Sequence, residues 1–112
     1  MEMKTEKIQD IMIVQILSDV LEAHNAKAFK KEIHEVIKDA QKVIFDLNQV
    51  SFIDSSGCGV ILSCIKHLKT AGGDLKLFGV AKEVMTLFEL IRMHRIIDIY
   101  LSKEDAIQSF MK

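Results

Sequence analysis

The chain has 112 residues, 49% apolar and 28% charged, with no proline, no tryptophan and a formal net charge of -1. That length suits one domain spanning 1–112, and folding it buries roughly 65% of the unfolded surface, so a core forms without metal or disulfide staples. The apolar fraction argues against disorder, and 15 basic against 16 acidic residues leave no field for a polyanion, so no nucleic acid is expected as a partner.

Ile11-Met12-Ile13-Val14-Gln15-Ile16-Leu17 is β-branched and nearly all apolar, which predicts a buried strand. Thr5 to Ile8 reads as an edge strand beside it, after a turn at Gln9-Asp10. From Asn25, a candidate N-cap, the spacing of Ala26, Phe29, Ile33, Val36, Ile37 and Ala40 predicts a helix. Val43-Ile44-Phe45-Asp46-Leu47 predicts a central parallel strand, and Val50 to Ile53 leads inward to Asp54-Ser55-Ser56-Gly57. Val60, Ile61, Cys64, Ile65 and Leu68 stripe a second helix, which stops at Ala71-Gly72-Gly73. Leu75 to Phe78 alternates like a strand. Val84, Leu87, Phe88 and Ile91 stripe a third helix, Ile96 to Leu101 holds a last strand, and Glu104 to Met111 closes the chain as a helix. The order β-β-α-β-α-β-α-β-α implies crossover connections, hence a mostly parallel sheet with the first strand as an antiparallel edge.

No run approaches the ~18 consecutive apolar residues of a bilayer span, so no direct membrane insertion is expected. Met1 to Lys7 carries charges of both signs and lacks the apolar run of a signal peptide. Cys58 and Cys64 would point ~240° apart on a helix, so they form neither a disulfide nor a metal pair. Free buried thiols suit a reducing compartment, and the expected location is the cytoplasm.

The segment Phe52-Ile53-Asp54-Ser55-Ser56-Gly57-Cys58-Gly59 follows a central strand and opens a helix, and open α/β sheets build function at the carboxyl ends of their strands. Hydroxyls there lie beside unsatisfied backbone N–H groups and the positive end of the helix dipole. That setting favours a phosphate, bound or covalently attached. Gly57 and Gly59 would let another protein approach the backbone closely. Asp54 stands where it would orient a serine hydroxyl or help hold a metal-bound nucleotide brought by a partner. On local chemistry alone the same tetrapeptide reads first as an ordinary helix cap, since Asp and Ser are preferred N-caps.

Enzyme motifs are missing from the sequence. A nucleophile elbow needs glycine two residues before the serine, but Asp54 precedes Ser56 and Ile53 precedes Ser55. No phosphate loop or dinucleotide fingerprint occurs, and His24, His34, His67 and His94 lack zinc-helix spacing. His24 alone stands near the candidate functional edge. The expected protein is not an enzyme, with no catalytic residue, metal or cofactor.

This element order, Val43 to Leu47, and the run Phe52 to Leu62 containing Asp54-Ser55-Ser56-Gly57 resemble a STAS domain of the bacterial anti-sigma factor antagonist type. Ala71-Gly72-Gly73, Leu87-Phe88-Glu89-Leu90 and Ile96-Ile97-Asp98-Ile99-Tyr100 match as well, so the resemblance runs from Ile8 to Phe110. It implies an α/β, STAS-type sandwich, a mostly parallel sheet of about five strands with an antiparallel edge strand and helices packed against it. It further implies that Ser55, the serine directly after the aspartate, is the phosphoacceptor, with Ser56 as secondary candidate. The implied partners are a GHKL-type anti-sigma factor that is also a serine kinase and a PP2C-type phosphatase. Glu22, His24, Asp54, Ser55, Ser56, Gly57, Cys58 and Gly59 form the expected partner-binding set.

Four positions, Asp19, Glu22, Cys58 and Arg92, depart from the family pattern. Asp19-Val20-Leu21-Glu22 stands where the family usually has Gly-x-Leu-Asp, so Glu22 keeps the charge on a longer arm. Cys58 replaces a commoner leucine, and Arg92 stands where a helix-ending glycine is frequent. A second reading is a non-switching STAS interaction subunit of a membrane transporter complex, such as a lipid-importing ABC system, which needs no phosphorylation.

Overall fold

The computed structural model describes residues 1–111. Strands β1 (Met3–Ile8) and β2 (Ile11–Ile16) form an antiparallel hairpin that pairs Met3 with Ile16 and Ile8 with Ile11. Its two-residue turn puts Gln9 at φ 56, the left-handed geometry that suits such short connections. There follow β3 (Val20–Leu21), α1 (Ala23–Ile37), β4 (Lys42–Asp46), β5 (Phe52–Ile53) and α2 (Ser55–Thr70). The chain ends with β6 (Asp74–Phe78), α3 (Lys82–Leu90), a single 3-10 turn (Met93–Arg95), β7 (Asp98–Tyr100) and α4 (Lys103–Met111).

The main sheet has the order β1-β2-β4-β6-β7, and every pair except the β1–β2 hairpin is parallel. Alternation along the strands divides the core in two. Val14, Val43, Phe45, Leu75 and Leu77 face a large apolar layer with Phe29, Ile33 and Ile37 of α1, Ile61 and Leu68 of α2, and Phe88 of α3. Ile11, Ile13, Ile44 and Phe78 face the other side, under Ala106, Ile107 and Phe110 of α4. β4 is covered on both faces, which is why its sequence is a continuous apolar run. Lys76 lies on the α4 side, 4.7 Å from the Phe110 ring centroid and 3.4 Å from Asp98 Oδ2, so its charge is compensated where it is buried.

Three expectations change. Val20–Leu21 and Phe52–Ile53 form a separate two-stranded parallel sheet, pairing Val20 with Phe52 and Leu21 with Ile53. Two-residue strands carry no periodicity, so nothing in the local pattern announces them. Helix α1 begins before Asn25: Glu22 is its N-cap, and Asn25 Oδ1 accepts the Glu22 N–H at 2.9 Å while its Nδ2 donates to Val20 O at 2.8 Å. Asn25 is thus a brace within the first turn. Ile91 leaves the core stripe of α3 and is exposed, because the helix ends there and Arg92 turns the chain at φ 61, ψ 30. That left-handed position is one that glycine adopts without strain.

Candidate functional site

After β2 and β4 run side by side, their continuations β3 and β5 pair again, and this brings the starts of α1 and α2 together. The Asp54 N–H donates to Leu21 O at 3.0 Å. The Asp54 carboxylate then caps both helices. Its Oδ1 accepts the Gly57 N–H of α2 at 3.0 Å, and its Oδ2 accepts the Ala23 N–H of α1 at 3.0 Å. The Gly57 N–H, joined by those of Ala23 and Ser56, holds this carboxyl below the usual carboxylate range.

Gly57 completes the junction. A Cβ added to it would sit 2.4 Å from Leu21 O and 2.9 Å from Ile53 Cγ2, so only glycine lets α2 lie this close to β3. Gly59 is the opposite case: a Cβ there would meet nothing within 4 Å. Cys58 points inward at 2% exposure, and burial, followed by the nearby Asp54 charge, pushes its thiol up. The Cys64 thiol is pushed up to about 12 by burial. Both cysteines are inert core groups.

Of the residues expected to meet a partner, Ser55, Ser56 and Gly59 lie exposed on the outer side of the first turns of α2. Neither serine hydroxyl has a hydrogen-bond partner among the described residues, so Asp54 does not orient Ser55. Gly57 and Cys58, also in the expected contact set, differ from these in their surroundings. They are buried and shape the site from beneath, because the first turn of α2 packs on Leu21 and Ile53. Glu22 and His24 stand beside the serines on the start of α1, paired through His24 Nδ1 and Glu22 Oε1 at 2.6 Å, with the His24 side chain 68% exposed.

Residues missed by the sequence reading lie on the other flank. Phe52, expected only to lead inward, is 50% exposed, and it lines a groove of ≈ 420 Å³ with Asp54, Ser55, Glu83, Val84 and Leu87. Glu83 and Leu87 sit some thirty positions from Ser55 in the chain, and only the tertiary fold brings them near. The visible signal is Phe52 itself, a large aromatic two residues before Asp54.

No group of three or more metal-ligating side chains occurs among the described residues, and no described helix is long and apolar enough to cross a membrane. The description "STAS domain" belongs to a family model that matches residues 2–106. An anti-sigma F factor antagonist of Paenibacillus polymyxa is 27% identical over 109 residues, covering 96% of this chain and 92% of that one. An anti-sigma-B factor antagonist of Bacillus subtilis is 27% identical over 88 residues, covering 79% of this chain and 81% of its own. The unphosphorylated form of the anti-sigma factor antagonist SpoIIAA superposes with a TM-score of 0.79 at 19% identity, over 98% of this chain and 96% of that one. The phosphorylated form of SpoIIAA, described as a Bacillus cell fate determinant, gives 0.70 at 19% identity, over 97% and 99%. At that identity these structures share the fold.

Proposed function

The chain belongs to the STAS domain family, and on that premise we propose that it is a phosphorylation-controlled anti-sigma factor antagonist, a partner-switching module. Unphosphorylated, it binds a GHKL-type anti-sigma factor that is also a serine kinase, and so releases that protein's client. The kinase transfers the γ-phosphoryl group of ATP to Ser55 Oγ, which loses its proton as ADP departs. A PP2C-type phosphatase hydrolyses the ester and restores the hydroxyl. The names of the sequence relatives support the antagonist role.

The observation that carries the reading is the exposed, unpartnered Ser55 hydroxyl on the first residue of a 16-residue helix. The N–H groups and dipole of that helix end favour an added phosphate. The Asp54 carboxylate is already spent on backbone donors, so it holds the helix ends in place and leaves proton removal to the kinase. A phosphoserine adds about -1.5 to -2 charge at neutral pH. The fold tolerates it, whereas a partner surface shaped for a neutral hydroxyl meets added bulk and charge. Like-charge contact at an interface costs several kcal/mol, and about 1.4 kcal/mol is already tenfold in affinity. Glu22 and His24 lie at the rim of this surface, where charges act on encounter rates and partner choice.

The test is intact and peptide mass spectrometry after incubation with ATP and a GHKL-type anti-sigma factor kinase that binds the chain. One added phosphate on Ser55, absent from Ser55→Ala, is the expected result. A kinase that binds without transferring phosphate would overturn the switch and favour the non-switching adaptor.

A further inference from the structure

The seam between α1 and α2 holds a group of polar side chains that the proposed switch does not use. His34 of α1 and His67 of α2, both half-buried, meet edge to face with ring centroids 5.6 Å apart. Ser63 Oγ donates to Val60 O at 2.6 Å and lies 2.8 Å from His34 Nε2. With the hydroxyl proton given to the carbonyl, His34 Nε2 is the donor to Ser63, and a neutral ring satisfies that contact. His67 Nε2 is shut off from solvent and has no hydrogen-bond partner among the described residues.

Both rings therefore fit in their neutral form. An imidazolium is a donor at both nitrogens, and a proton on His67 Nε2 would find no acceptor among the described residues. Counter-charge is missing as well. Helix α2 contains no Asp or Glu, and beside His67 its charged side chains are Lys66 and Lys69, the latter 3.6 Å from Asp74. On α1, Lys30 stands one turn before His34, and Lys38, one turn after it, takes up Glu35 at 3.3 Å. Cys64, next to Ser63, is neutral, its thiol pushed up to about 12 by burial. Burial first, then the charge of His67 and that of Lys30, hold the His34 value below that of a free imidazole.

We propose that the His34–His67 pair makes the α1–α2 seam a proton-sensitive joint, closed while both rings are neutral and loosened when acid charges them side by side. Like charges in contact across a partly buried seam repel more strongly than they would in water. The lowered His34 value fixes the sign of the effect. Between the folded and unfolded values the folded chain binds fewer protons than the unfolded one. Stability is therefore full above the unfolded value of about 6.5 and falls as pH drops from there toward the folded value. The seam joins the two helices whose starts form the candidate site.

Thermal unfolding of the full chain as a function of pH tests this. The wild type should melt about 5 °C lower near pH ~5.5 than near pH ~7.5, a range above the ordinary carboxylate values. His34→Gln, which keeps a donor for Ser63, combined with His67→Phe, which keeps an aromatic edge, should lose most of that fall. His24→Gln with His94→Gln, at the two exposed histidines, should retain it. An NMR titration of the imidazoles in the folded wild type needs no variant and reads His34 directly, with a midpoint below about 6.5. A melting temperature unchanged over this range, an equal fall in the His34 and His67 double variant, or a folded His34 midpoint at or above that of a free imidazole overturns the proposal. All of these readouts use the chain alone, without kinase or phosphate.

Discussion

Gly57 and Cys58 turn inward from the start of α2 and the half-buried Asp54 gives its carboxylate to the helix ends, while Ser55, Ser56 and Gly59 turn outward, and the two sets alternate within one short stretch. The inner set makes the junction: Asp54 ties two helix ends, and Gly57 lets α2 close on β3. The outer set makes no contact of that kind, with free hydroxyls on the serines and open space above Gly59. Neighbouring residues of one motif therefore have separate duties. A charge can be written on the outer side without disturbing the inner one, because the groups that hold the helices are already satisfied.

Substitutions on the two sides should differ in size and in sign. Gly57→Val forces a side chain to within 2.4 Å of Leu21 O and should cost about 3 kcal/mol or more in urea unfolding, or prevent folding. Asp54→Ala removes the cap of both α1 and α2, and its melting temperature should fall by several degrees at neutral pH. The sign of its pH dependence follows from the lowered Asp54 value. The stabilisation is present above the unfolded carboxyl value of about 3.9 and is lost as pH falls through the lower folded value, so the variant should converge on the wild type in strong acid.

Gly59→Ala should act in the opposite direction from Gly57. An exposed mid-helix glycine with open space gains about 0.5–1 kcal/mol on acquiring a methyl group, readable as a raised urea midpoint. If kinase affinity falls in the same variant, close backbone approach by the partner is the reason the glycine is there. Ser55→Asp should have the smallest effect on folding, within about 0.5 kcal/mol, while still weakening kinase binding. A large loss of stability in Ser55→Asp would mean that the serine belongs to the inner set.

Much of this arrangement is legible in the sequence. The β-branched runs of β2 and β4 and the stripes on α1 and α2 dictate the layers, and Asp54-Ser55-Ser56-Gly57 marks the start of a helix. The division within that motif is not legible, because Gly57 and Gly59 are identical letters and only the position of Leu21 distinguishes them. Glu22 was not readable as a cap, since Asn25 is the better capping residue in isolation and serves here from inside the turn. The stripe that included Ile91 ran one residue too far, because the turn at Arg92 comes from a residue that rarely adopts it. The groove of Phe52, Glu83 and Leu87 exists only through tertiary contact between β5 and α3.

The most direct test of the separation between the two sides is a binding titration of the GHKL kinase against the unphosphorylated chain and against the same chain phosphorylated on Ser55. The account predicts affinity at least about tenfold weaker for the phosphorylated form. Equal affinities for the two forms would contradict it.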